Sequence, residues 1–357
     1  MWCAAPQDII LGLTIMNGAA VARTLTVNLR GDDMSRWCRG FRIAGLCLLI
    51  LPTAAAAQAL NYPDKPVTVI SDAAPGATPD IDARFCADGL SKMWGQQVVI
   101  VNRQGAFGSL AARAASEAAP DGYTLFMPSL ASFIARADIA PNVPLKLPRD
   151  FLPIGFTAEN PMFVAVNPSL GVSTLPELIA LAKKEPGKIS IAVTGVGRLT
   201  HLTGLVLLER AGIQVLPVPY NAGPASALAD VGSGRVSMII EGYSGILGAV
   251  KAGQVKIIAV ASHQRLPEFP NVPTVSETIP DFYATGWQVL LAPLGTPKPI
   301  VDKVSTDLAK VVNDPEFKKK LGNVGSYSYG MTPEEVLAFV DKEQKTWLPV
   351  LSKLSVK

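Results

Sequence analysis

Short apolar runs alternate along this chain with amphipathic stretches of helical period. The runs at 67–70, 97–102, 123–127, 163–166, 189–193, 215–218, 236–240, 255–261 and 287–292 read as strands, most of them closed by Gly, Pro, Asn or Asp. The continuous apolar run at 97–102 predicts a strand buried on both faces of a parallel sheet. Between the runs, helical spacing predicts helices over about 80–93, 109–118, from Thr174, from Pro224 and through most of the chain after 297; Leu175, Leu178, Ile179 and Ala182 share one face. Thr174 with Glu177, and Thr332 with Glu335, are capping boxes. Thr78 suits the N-cap of the first helix, with Pro79 at its first position and Asp80 in its first turn. Alternating strands and helices predict an α/β protein.

The loops after the strands hold the residues of interest. The loop after 67–70 carries Ala73, Ala74, Pro75, Gly76, Ala77, Thr78 and Asp80 and opens a helix. Such a strand–loop–helix presents free backbone N–H groups and a positive helix end at the carboxyl edge of a sheet, where anions are held. Ser129 and Ser132 follow a strand that ends on the same edge. A second glycine loop carries Thr194, Gly195, Gly197, Arg198, Thr200 and His201, and the next strand ends follow with Tyr220, Asn221 and Glu241. One set lies before residue 160 and the other between 190 and 245, which predicts two α/β lobes facing across a cleft, a usual place for a small ligand.

At 49% hydrophobic and 17% charged, the chain has the composition of a globular protein. Net charge is +3, and residues 1–59 hold five Lys/Arg against three acids, so the remainder is close to neutral. That excludes a nucleic-acid footprint. From Met34, three arginines (Arg36, Arg39, Arg42) precede an apolar stretch at 43–51 and a run of small residues ending in Ala57-Gln58-Ala59. This is the order of a secretory signal over 34–59, too short in its apolar part to span a bilayer, and residues 1–33 read as an upstream extension. Cleavage would leave Cys86 as the single cysteine and no disulfide.

Motifs for catalysis fail on inspection. Gly242-Tyr243-Ser244-Gly245-Ile246 lacks the last glycine of a nucleophile elbow, and Thr200 stands where a dinucleotide fingerprint needs its third glycine. With His201 and His263 as the only histidines, no zinc cluster can be built, and no cofactor is expected.

Taken in order, Y-P-D-K-P at 62–66, P-G-A-T-P-D-I-D-A-R at 75–84, V-N-R-Q-G-A-F-G at 101–108, A-A-P-D-G-Y-T-L at 118–125, L-P-E-L-I-A-L-A-K at 175–183, H-L-T-G at 201–204, V-P-T-V-S-E at 272–277 and A-P-L-G-T-P at 292–297 resemble the substrate-binding receptors of tripartite tricarboxylate transporters, the Bug family of periplasmic binding proteins. The resemblance implies a two-lobed type II periplasmic-binding-protein fold with a ligand cleft between the lobes. It places lobe 1 at 60–160 and 286–357, lobe 2 at 161–285, and hinge crossings near 160 and 285. It implies a monomer that binds a small organic acid and hands it to the membrane subunits of the transporter, with the carboxylate held by backbone N–H groups of the 73–80 loop and the 194–200 loop and Tyr220 closing from the other lobe. A ligand sensor acting through a sensor kinase, or an enzyme of the cleft acting on a small carboxylate, are the alternatives. The chain departs from the family pattern in three places. Ala73 and Ala74 replace a bulky aromatic, which predicts more room for an aromatic or dicarboxylic ligand. Arg198-Leu199 replaces serines, which offers a bidentate partner for a second carboxylate. Glu241-Gly242 replaces Asp-Asn, so that Glu241 either receives a ligand amine or hydroxyl or caps a neighbouring loop.

Overall fold

A computed structural model describes residues 10–15, 23–28, 61–135, 142–220 and 222–353. The signal segment expected at 34–59 lies outside them. Strands β1 (Ile10–Ile15) and β2 (Arg23–Asn28) pair antiparallel, Ile10 opposite Asn28, in a unit of their own.

From Tyr62 onward the chain forms one unit built on a nine-stranded sheet. Strand β3 (Val67–Ser71) runs parallel to β4 (Val98–Asn102) on one side and β5 (Thr124–Met127) on the other. Helices α1 (Thr78–Trp94) and α2 (Ser109–Ser116) make the crossovers that parallel strands require. β4 proves to be an edge strand, with Val99 44% exposed, which corrects the expectation of burial on both faces. An apolar run reads the same whether a strand is flanked on one side or two.

Beyond β5 and the short helix α3 (Leu130–Ile134) comes β6, a strand over Phe151–Val166. Pro153, Gly155 and Pro161 break its apolar pattern, which is why only its end was legible. Its first part pairs antiparallel with β11 (Thr285–Pro293) through two register shifts, and β11 also touches β5. From Met162 onward β6 pairs instead with β9 (Met238–Gly242) and with β10 (Lys256–Val260). Helix α4 (Leu175–Lys184) separates β6 from β7 (Ser190–Val193), which is parallel to β9 and to the edge strand β8 (Leu216–Pro219). Helices α5 (Leu199–Ala211), α6 (Pro224–Gly232) and α7 (Tyr243–Lys251) follow β7, β8 and β9. β6 and β11 thus join two sheet halves: β3, β4 and β5 on one side, and β7, β8, β9 and β10 on the other.

After β11 the chain returns to the first half. Helix α8 (Lys298–Asn313) packs with α1 over β3, β5 and β6, burying Cys86, Leu90, Val304 and Leu308. Helix α9 (Pro315–Gly322) follows, and α10 (Pro333–Lys353) covers the other face, where Phe339 meets Phe156 and Trp287 edge-on at ring distances of 5.4 and 5.1 Å. Among the described residues, no helix is long and apolar enough to cross a membrane.

Candidate functional site

The first turns of four helices meet at one cavity. Ala77, Thr78 and Pro79 start α1; Leu130 and Ala131 start α3; Arg198, Leu199 and Thr200 open α5; Pro224 starts α6; all line the same space with Ala74, Ser129, Thr194 and Glu241. Asn160, Met162, Gly286 and Trp287, from β6 and β11 where the halves join, close its floor. None of these four helices has a side-chain cap, whereas Thr174 caps α4 and Asp314 caps α9. The positive ends of the helix dipoles therefore lie at the cavity wall and favour an anion, while Pro79 and Pro224 bring no N–H and the Asp80 and Ser132 N–H groups are given to the Ala77 and Ser129 carbonyls. The cavity measures about 60 Å3.

Several expected residues stand in the wall: Ala74, Ala77, Thr78, Ser129, Thr194, Arg198, Thr200 and Glu241. The first helix begins one residue earlier than expected, with Ala77 as N-cap and Thr78 inside the helix. The Thr78 hydroxyl is committed elsewhere, accepting from the Gly245 N–H of the second half at 3.2 Å.

The remaining expected residues build the loops. Ala73 N–H donates to Ser71 Oγ, while Pro75 and Gly76 are exposed, Gly76 in the left-handed region at φ +74°. Gly76 N–H donates to Asp80 Oδ2, whose carboxylate also accepts from Arg84 and Asn102. Burial opposes ionisation of Asp80, but these bonds hold its carboxyl below the usual range. The Ser132 hydroxyl donates to Asp72. Gly195 (φ +132°) and Gly197 (φ +76°) shape the second loop; a methyl on Gly197 would collide with Phe107 of the first half. His201 Nδ1 accepts from Gly197 N–H, and burial lowers its pKa. Tyr220 donates to Asp230 at 2.6 Å, and Asn221 lies outside the described residues.

Sequence reasoning missed Asp72, the residue that ties these pieces together. Wholly buried, it accepts from Ser129 N–H and Oγ at 3.0 Å each and from Ser132 Oγ at 2.6 Å. Its carbonyl accepts from Arg198 Nη2, 2.6 Å away across the cavity. An aspartate at the end of a buried strand was the available signal. Glu241 is also buried; its Oε2 accepts from Thr194 Oγ1 at 2.7 Å and its Oε1 from Gly242 N–H at 3.0 Å. Burial raises its pKa, partly offset by those two bonds and by the Arg198 charge. Among the described residues, no group of His, Cys, Asp and Glu could hold a metal.

The family model described as tripartite tricarboxylate transporter family receptor matches residues 82–356. The structure of the periplasmic binding protein BugD superposes with a TM-score of 0.75 at 31% identity, covering 83% of this chain and 99% of that one. Rpa4515 of R. palustris, solved with adipate, gives 0.76 at 28% identity over 82% and 97%. MatC of Rhodopseudomonas palustris, solved with malate, gives 0.72 at 28% identity over 81% and 100%. The α/β fold, with its cavity between two sheet halves, is that of the periplasmic binding proteins, and the chain belongs to the tripartite tricarboxylate transporter receptor family.

Proposed function

We propose that this protein is an extracytoplasmic receptor that captures a small organic acid and delivers it to the membrane subunits of a tripartite tricarboxylate transporter. The observation that carries the reading is the convergence of four uncapped helix starts and one arginine on a single small cavity. Relatives of the same fold were solved with adipate and malate, both dicarboxylates, which supports a carboxylate here. In this reading one carboxylate sits against the N–H groups at the starts of α1 and α5. Arg198, with one nitrogen spent on the Asp72 carbonyl, keeps further N–H donors for a second carboxylate.

The lobes are residues 60–160 with 286–357, and 161–285. The hinge lies where Met162 N–H donates to the Ala284 carbonyl and Ala284 N–H to that of Ala261, the point at which β6 changes partners. Residues 34–59 direct export to the periplasm.

A thermal-shift screen of the purified protein against mono-, di- and tricarboxylic acids, neutral sugars and nucleobases tests this. A ligand at 100 times its dissociation constant adds about 2.7 kcal/mol of stability. The expected result is a raised melting temperature with a group of related acids, each recovered unchanged. Shifts only with uncharged compounds would overturn the reading.

A further inference from the structure

Among the described wall residues Glu241 is the only acid and Arg198 the only base. The two do not form a direct ion pair, since the Arg198 Nη2 is given to the Asp72 carbonyl, and the partners of Glu241 are one hydroxyl and one backbone N–H. Both of its oxygens act as acceptors in those bonds. A carboxylate has about four acceptor sites, so about two are left. Behind the side chain, a methyl on Gly245 would lie 3.0 Å from Glu241 Cγ, so the protein backbone closes that side. The cavity is the direction from which a further donor can reach it.

Each oxygen of Glu241 has one donor and room for another, and a ligand carboxylate placed against it would meet like-charge repulsion. The anionic end of a ligand therefore belongs at the helix starts and Arg198, and the end near Glu241 must donate. We infer that the ligand carries, besides its carboxylate, a hydrogen-bond donor that Glu241 receives, and that Glu241 is the residue by which this receptor prefers hydroxy or amino acids to plain acids of the same length. This rests on the carboxylate-receptor reading above and narrows it. A site built to pair with a donor rejects analogues lacking it far more strongly than an apolar pocket rejects a missing methylene.

Titration calorimetry on the full chain with matched acids tests the inference: succinate, malate and aspartate as one set, propionate, lactate and alanine as another. At least one hydroxy or amino acid is expected to bind 30-fold or more tighter than its donor-free counterpart. Glu241→Gln, which keeps the size and loses the charge, should bring that ratio below about five. A fall greater for the amino acid than for the hydroxy acid identifies an ammonium as the donor, and the reverse a hydroxyl. Donor-free acids binding as tightly as their counterparts would overturn the inference and leave the receptor reading standing. Binding of none of the acids in this assay or in the thermal screen would overturn both. An unchanged ratio in Glu241→Gln would overturn the assignment to Glu241, and if that variant does not fold, Glu241→Asp, which draws the carboxylate back by one methylene, takes its place with the same expected loss of preference.

Discussion

Buried acids set much of the character of this molecule. Asp82 is fully enclosed; its Oδ2 accepts from Asn160 Nδ2 at 2.8 Å and Ser326 Oγ at 3.0 Å, and its Oδ1 has no protein partner. Burial pushes its carboxyl up to about 7, against the effect of those two bonds. A folded value above the unfolded one means that folding takes up a proton, so stability falls as pH rises through the interval from about 4 to about 7. Burial shifts Glu159, Glu241 and Glu343 in the same direction. His201, whose pKa burial lowers, acts the other way, but four raised carboxyls oppose it, so the melting temperature is expected to fall between pH 5 and pH 8, and Asp82→Asn to remove part of that fall. A difference on the order of 2 kcal/mol would show as roughly 5 °C in scanning calorimetry; equal slopes for the two proteins would refute the assignment. At this scale the sequence told half the story. Ser129 and Thr194 follow strand ends, Glu241 stands in the last part of β9 and Arg198 opens α5, so the order of strands and loops suffices to bring the four to one cavity wall. Ser132, His201 and Tyr220 stand in those same loops, but which way a side chain turns there is settled by partners distant in sequence: Asp72, Gly197 and Asp230. The role of Asp72 is recognisable only through partners far away in sequence, Ser129, Ser132 and Arg198.

Helix starts and the glycines facing them are the working elements. Where the halves touch, the backbone of one side lies against a side chain of the other: Gly197 on Phe107, Gly223 on Ala74, Gly242 on Thr78. Gly242, the N-cap of α7, has ordinary extended dihedrals (φ −63°, ψ 146°), so alanine there is free of backbone strain. Its methyl would nonetheless strike the Thr78 hydroxyl. Gly242→Ala should therefore weaken ligand binding at least tenfold while shifting the melting temperature of the ligand-free protein by less than about 3 °C, and Thr78→Ala in the same chain, which removes the hydroxyl the methyl meets, should recover part of the affinity. A large loss of stability with unchanged affinity would mean that this contact serves folding alone. Most elements were legible because their apolar periods are clean. The long β6 was not, since its prolines and register shifts obey the needs of two partner strands rather than a period of two.

For the whole molecule, the two sheet halves meet through few covalent crossings. β6 exchanges β11 for β9 at Pro161 and Met162, and the return passes from Ala284 into Thr285. Under the hinge proposed above, rotation there would change few backbone hydrogen bonds, and the Arg198 to Asp72 and Gly245 to Thr78 bonds, which join the two halves in this structure, are the ones that opening would break. A ligand that touches both sides biases this equilibrium. Small-angle scattering on the saturated protein should give a smaller radius of gyration than on the ligand-free protein; identical curves would argue for a rigid cavity.

The return of β11 to the first half has a further consequence, for the order in which the chain can fold. Leu291 lies opposite both Phe126 and Pro153, so the second half is spelled out in full before the first can be completed. The contacts among β7, β8 and β9 close short loops, whereas the pairing of β5 with β11 must close a very long one and is accordingly slow. The closing strand and the helices that cover the first half come last in the chain. Until they arrive, that half has no complete core, and a polypeptide built this way keeps half of itself loose for as long as it is still being synthesised.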